Sequence, residues 1–95
     1  MTGPIQIDAS AVQWREVDGE VVAVDLRNSL YMAANASATV LWPLLARGTT
    51  LSELTASLVQ RWSLAEEVAR RDAEQLVAWL RDMGLLLDAP GTSGP

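Results

Sequence analysis

Leu30-Tyr31-Met32-Ala33-Ala34-Asn35-Ala36-Ser37-Ala38-Thr39-Val40-Leu41-Trp42 runs a short apolar strand through a cap straight into a helix. Leu30, Tyr31 and Met32 suit a pleated, half-buried strand. Asn35 reads as the N-cap, because its side-chain oxygen can accept from the orphan amides of a first helical turn. Ala38, Leu41, Trp42 and Leu45 then recur at i, i+3, i+4 and i+7, which is one helical face. A strand fastened this closely to a helix is a rigid platform. Its free edge is the expected working surface.

Working back from that stretch, two more strands come into view. Between Ala11 and Val17, Val12 and Trp14 alternate with Gln13 and Arg15, the pattern of a strand with one buried face. Asp18-Gly19 is a strong hairpin signal, since the tight turn needs positive φ angles that Gly adopts freely. Val21 to Val24 is almost continuously apolar and suits a central strand. Arg27-Asn28-Ser29 reads as the next turn, with Asn28 expected in the left-handed conformation. Residues 1–10, which include Gly3 and Pro4, are expected to form a flexible arm in which Ile5 and Ile7 can pack locally.

Working forward, the first helix is expected from Ala36 to Ala46, with Gly48 as its C′ residue. Pro43 lies inside it and costs about 3 kcal/mol in an ideal helix interior, which predicts a kink or an irregular last turn. Thr50-Leu51-Ser52-Glu53 is a capping box, followed by a buried stripe of Leu51, Leu54, Leu58 and Trp62. Ser63-Leu64-Ala65-Glu66 repeats the box and opens a third helix that reaches Met83 and stops at Gly84. Leu85-Leu86-Leu87 is a short apolar end segment, and residues 89–95 are expected to be a disordered tail. The fold class is therefore α+β: a three-stranded antiparallel meander followed by three helices. It forms one unit over residues 11–88, with no internal repeat or linker.

Two stripes run along the third helix. Ala69, Ala73, Leu76, Leu80 and Met83 form a core-facing seam. Beside it, Val68, Asp72, Gln75 and Trp79 mix apolar, acidic and amide groups. That mixture suits a contact surface with Trp79 as its anchor, although Trp79 could equally widen the core stripe. The third strand poses a matching question. Natural sheet edges are blunted by Lys, Pro or inward charge, and Leu30 to Ala34 has none of these.

Composition narrows the chemistry. The chain has 95 residues and contains neither His nor Cys. The commonest general base, the thiol nucleophile and the usual zinc ligands are thereby absent. No metal or cofactor is expected. All seven cations are Arg, against twelve acids, for a net charge of −5. An acidic chain lacks the electrostatic footprint for phosphate backbones. No apolar run approaches membrane-spanning length and no signal peptide is visible, so a cytoplasmic location is expected.

These residues resemble a family. Asn35, Ser37-Ala38 and Leu41-Trp42, then Thr50-Leu51 with Glu53, then Asp72 and Gly84-Leu85-Leu86, follow the order and spacing of the PqqD-like proteins. Those proteins are winged helix-turn-helix-like recognition elements for ribosomally made, modified peptides. Ala34 stands where that family usually has Leu, Ala38 stands where Gly is common, and Pro43 interrupts the first helix. The resemblance implies a non-catalytic adaptor that binds the leader of a precursor peptide as an added strand. The implied leader-binding residues are Leu30, Tyr31, Met32 and Ala33 on the third strand, with Val68, Asp72, Gln75, Leu76 and Trp79 on the third helix. The free-standing chain looks most like the split recognition protein of lasso-peptide pathways, which implies a separate leader protease and a cyclase as further partners. A peptide chaperone of pyrroloquinoline quinone biosynthesis is the alternative within the class. Outside it stands a winged-helix DNA-binding regulator, but three Arg against five acids over residues 64–83 speak against nucleic acid.

Overall fold

The computed structural model describes residues 4–87. Three strands, β1 (Val12–Val17), β2 (Glu20–Asp25) and β3 (Leu30–Ala33), precede three helices, α1 (Ala36–Arg47), α2 (Leu51–Trp62) and α3 (Glu66–Asp82). The sheet order is β1-β2-β3 and both ladders are antiparallel. The apolar run read as a central strand is therefore central, and the third strand lies at an edge. Asp18 and Gly19 both take positive φ, +53° and +81°. Such a turn twists in the same sense as the strands it joins.

The second turn differs from expectation at one position. Ser29, not Asn28, adopts the left-handed conformation, with φ +53°. Asn28 has another task. Its side-chain amide donates to Asp25 Oδ2 at 2.9 Å, while the backbone amides of Arg27 and Asn28 donate to Asp25 Oδ1 at 3.0 and 3.3 Å. Asp25 is fully buried, so this ring of donors replaces its hydration. The Asn28 amide above all, helped by the Arg27 and Asn28 backbone amides and the Arg27 charge, holds the Asp25 carboxyl below its ordinary value, against the opposing pull of burial.

One face of the sheet rests on the helices. Val12, Val21 and Ala23 join Leu41, Trp42 and Leu45 of α1, Leu54 and Leu58 of α2, and Ala69, Ala73, Val77 and Leu80 of α3 in one core. The α3 seam departs from the expected one: Val77 is buried, whereas Leu76 and Met83 are only partly so. The buried spacing is 4, 4, 3 and not 4, 3, 4, 3, which leaves Leu76 and Met83 packed against the margin of the core. On α2, Leu54, Thr55 and Leu58 are buried, but Trp62 is exposed. It is the last residue of α2.

The helix ends show which local signals held. Asn35 caps α1, its Oδ1 accepting from the Ala38 amide at 2.8 Å. The Thr50–Glu53 capping box is complete on both sides. The second box is not formed. Ser63 takes φ +53° and closes α2, donating its amide to the Val59 carbonyl. Ala65 then occupies the N-cap of α3 without a side-chain bond, and Glu66 and Glu67 satisfy the helix dipole instead. Pro43 lies on the exposed side of α1, which continues as α-helix to Arg47 without the irregular last turn its presence predicts.

Within the stretch expected as an arm, Ile5 pairs with Thr49 and Ile7 with Leu86. Ile7 is buried in the core. The Asp8 amide donates to the Leu85 carbonyl at 2.8 Å, and Arg27 reaches Asp8 Oδ2 at 3.7 Å. The expected disordered tail lies outside the described residues. No helix among the described residues is long and apolar enough to cross a membrane.

Candidate functional site

The direction of the backbone groups along β3 follows from one hydrogen bond and the register. The Ala34 amide donates to the Val21 carbonyl at 3.0 Å, and Ala23 faces Met32 while Val24 faces Tyr31. Bonded and non-bonded pairs alternate along an antiparallel ladder. Leu30, Met32 and Ala34 therefore turn their amides and carbonyls toward β2, and those of Tyr31 and Ala33 point away from the sheet. The strand presents two donors and two acceptors outward. Tyr31 is 80% exposed and Leu30 about half exposed, so no side chain from β3 itself screens that edge.

The ladder is ended deliberately at its α1 side. The Val21 amide finds Thr39 Oγ1 at 3.3 Å, and the Thr39 hydroxyl donates in turn to the Ala34 carbonyl at 3.5 Å. A side chain of α1 thus bridges the Val21 amide and the Ala34 carbonyl, beside the direct bond from the Ala34 amide to the Val21 carbonyl.

Beside the edge lies a cavity of about 390 Å³. The strand side is Ala23, Met32, Ala33 and Ala34; the α1 side is Asn35, Ser37, Ala38 and Trp42; the α3 side is Asp72, Gln75, Leu76 and Trp79. Small residues make the space. Four of these twelve lining residues are Ala, and larger side chains there would fill it. Trp42 is almost wholly buried, and its Nε1 is the buried side-chain polar atom among the described residues that has no hydrogen-bond partner. Asp72, Gln75, Leu76 and Trp79 share one face of α3 through spacings of three and four.

Six residues singled out from sequence, Met32, Ala33, Asp72, Gln75, Leu76 and Trp79, are brought together on this wall. Leu30, Tyr31 and Val68 do not line it; all three are exposed and flank it. Trp79 is 43% exposed, so it does not widen the core stripe. Ala23, Ala34, Asn35, Ser37, Ala38 and Trp42 were missed. Their apolar periodicity and capping role signalled core and helix start, and nothing in a sequence marks an empty space between small residues. No group of three or more acids that could hold a metal occurs among the described residues.

Comparison with known proteins gives a family and a fold. The family described as "Coenzyme PQQ synthesis protein D (PqqD)" matches residues 20–86. Among solved structures, the chain is similar to one titled "TbiB1 in Complex with the TbiA(beta) Leader Peptide". The TM-score is 0.77 at 25% identity, covering 94% of this chain and 99% of that one. A second, "Lasso peptide synthetase B1 complexed with the leader peptide", gives 0.74 at 22% identity, covering 87% and 96%. At that identity the second likeness shows the fold alone. Comparison with curated proteins finds no match.

Proposed function

This chain belongs to the PqqD family, and from that premise we propose that it binds the leader region of a ribosomally made precursor peptide without modifying it. One observation carries the proposal: the outward amides and carbonyls of Tyr31 and Ala33 run beside a preformed cavity, on an edge with no charge or proline to deter a partner strand. Strand addition supplies main-chain hydrogen bonds, and adjacent pockets for side chains supply specificity. A leader strand lying on Leu30–Ala33 would place side chains against Met32 and Ala33 and against Asp72, Gln75, Leu76 and Trp79. Leu30, Tyr31 and Val68 would hold its flanks. A solved complex with a leader peptide, in a similar chain covered almost end to end, supports the same occupant.

The protein is an adaptor in this scheme. The leader stays bound while a separate protease and cyclase work on the rest of the precursor, as in lasso-peptide maturation. With no His and no Cys in the chain, the chemistry falls to those partners. The family description favours a second reading, a chaperone for the precursor of pyrroloquinoline quinone. Both readings use the same edge and differ in the peptide.

Amide exchange tests the mode. Synthetic leaders of precursors encoded near the gene should slow exchange at Tyr31 and Ala33 and leave Met32, already bonded to β2, as it was. Mass spectrometry of the same samples should return the peptide uncut. Unchanged exchange at Tyr31 and Ala33 with saturating peptide would rule out strand addition here.

A further inference from the structure

β3 is the less supported of the two walls it forms with α3. It is paired to β2 along one side, and its backbone packs on no helix. α3 is anchored in the core through Ala69, Ala73, Val77 and Leu80. The separation of the walls therefore depends on how the two ends of β3 are tied down. At one end Asn35 and Thr39 fasten the strand to α1. At the other stands the β2–β3 turn, and a side chain of that turn reaches across to the end of α3.

Arg27 is that side chain. Its Nη2 lies 3.7 Å from Asp8 Oδ2, and the Asp8 amide donates in turn to the Leu85 carbonyl, just beyond α3. A β-carbon placed on Gly84 would stand 3.2 Å from Arg27 Nη1, so the guanidinium lies against the residue that follows the α3 cap. There a cation meets the negative end of the helix dipole. The other ion pair among the described residues, Arg70 with Glu74, lies within α3 and joins it to nothing else. We propose that Arg27 is a positioning residue, a latch from the β2–β3 turn to the C-terminal end of α3 that holds the cleft at one width. Arg27 does not line the cavity; it acts through β3. Its bearing on binding rests on the peptide-binding reading, whereas the latch itself is a property of the free chain.

The chain has no Cys, so spin labels on Tyr31→Cys and Ala78→Cys, both at exposed positions, report the separation of β3 and α3 by pulsed electron resonance. With Arg27 intact the distance distribution should be narrow. Arg27→Gln and Asp8→Asn should each broaden it, the double variant no further than Arg27→Gln alone, and Arg27→Lys should keep most of the narrowing. Glu74→Gln, which breaks the pair within α3, should change nothing. Melts should stay within a few degrees of wild type, because a half-exposed pair adds little to global stability. In the unlabelled chain, Arg27→Gln should lower affinity for a synthetic leader of a precursor encoded near the gene roughly twofold to fivefold. A distribution unmoved by Arg27→Gln, additive effects in the double variant, or a melt that falls with the broadening would each overturn the latch. Unchanged affinity beside a broadened distribution, with Tyr31 and Ala33 amides protected by the leader, would overturn it as a positioning residue. Failure of strand addition would show separately, as unprotected Tyr31 and Ala33 amides in the wild-type chain.

Discussion

Replacing single backbone amides by esters on β3 removes one N–H at a time, and the register assigns opposite consequences to adjacent residues. At Met32 the lost donor belongs to the ladder with Ala23, whose side chain and backbone lie 99% out of solvent contact. The Ala23 carbonyl is left without its partner, a loss of about 1–3 kcal/mol. For a domain of this size each kcal/mol lowers Tm by roughly 4–8 °C, so a fall of roughly 4–24 °C is expected. At Tyr31 the lost donor points away from the sheet. The melt should stay within a few degrees of wild type, while leader affinity falls roughly 2- to 12-fold, the worth of one main-chain bond of about 0.5–1.5 kcal/mol. Proline at the same positions should show the same contrast, blurred by its fixed φ. Thermal melts and a peptide titration on the same samples decide it. A destabilised Tyr31 ester beside a stable Met32 ester would refute the register, and normal binding by both would refute strand addition at this edge.

Trp79→Ala should weaken leader binding by about 1 kcal/mol or more with an almost unchanged melt, because the indole stands at the cavity and outside the core; an unfolded variant would return Trp79 to the core. Leu58→Ala, by contrast, empties a fully buried site and should cost about 2–5 kcal/mol in chemical denaturation. Thr50→Ala should cost about 1 kcal/mol, since it removes the acceptor for the Glu53 amide in the capping box. Asp25 and Asp8 are both held below their ordinary value of 3.8, by the Asn28 side chain and by Ser10 respectively. Their folded-state pKa is thus the lower one, so their stabilisation is complete above pH 3.8 and drains as pH falls toward the folded-state values. Melts from pH 6 to 2.5 should show a decline steepest below about pH 4, and Asp25→Asn should flatten it.

Much of the fold was legible because local chemistry and tertiary packing agreed. Asp18-Gly19 had the residues its turn requires, Asn35 and Thr50 capped the helices they precede, and the apolar run Val21–Val24 lay between two partners. Legibility failed where two local signals competed for one residue. Ser63 could cap the next helix or close the previous one, and closing α2 prevailed. The α3 seam was misplaced by one step because 4-3-4-3 and 4-4-3 spacings both make apolar stripes, and only the neighbouring elements choose between Leu76 and Val77. The site was legible in its walls and not in its floor. Asp72, Gln75 and Trp79 stood out because polar and aromatic groups interrupt an apolar pattern. Trp42, Ala23 and Ala38 looked like ordinary core, since a hollow is a property of the assembled pieces. The strand register was equally out of reach, because it depends on how Asp25 gathers the turn around its carboxylate.

The shortness of β3 has a consequence for fidelity. The strand runs only from Leu30 to Ala33 before Asn35 caps α1, so the unpaired edge is Tyr31 and Ala33, two residues with four backbone groups. Four main-chain bonds are worth about 2–6 kcal/mol together, while holding a peptide in place costs about 4–15 kcal/mol in lost freedom. Any stray extended segment could dock on this edge, but backbone pairing alone would not retain it. Retention then falls to whatever the side chains find in the cavity. A longer edge would be stickier and less discriminating, open to every unfolded chain that drifts past. Brevity makes the strand a poor glue and, for that reason, a good reader.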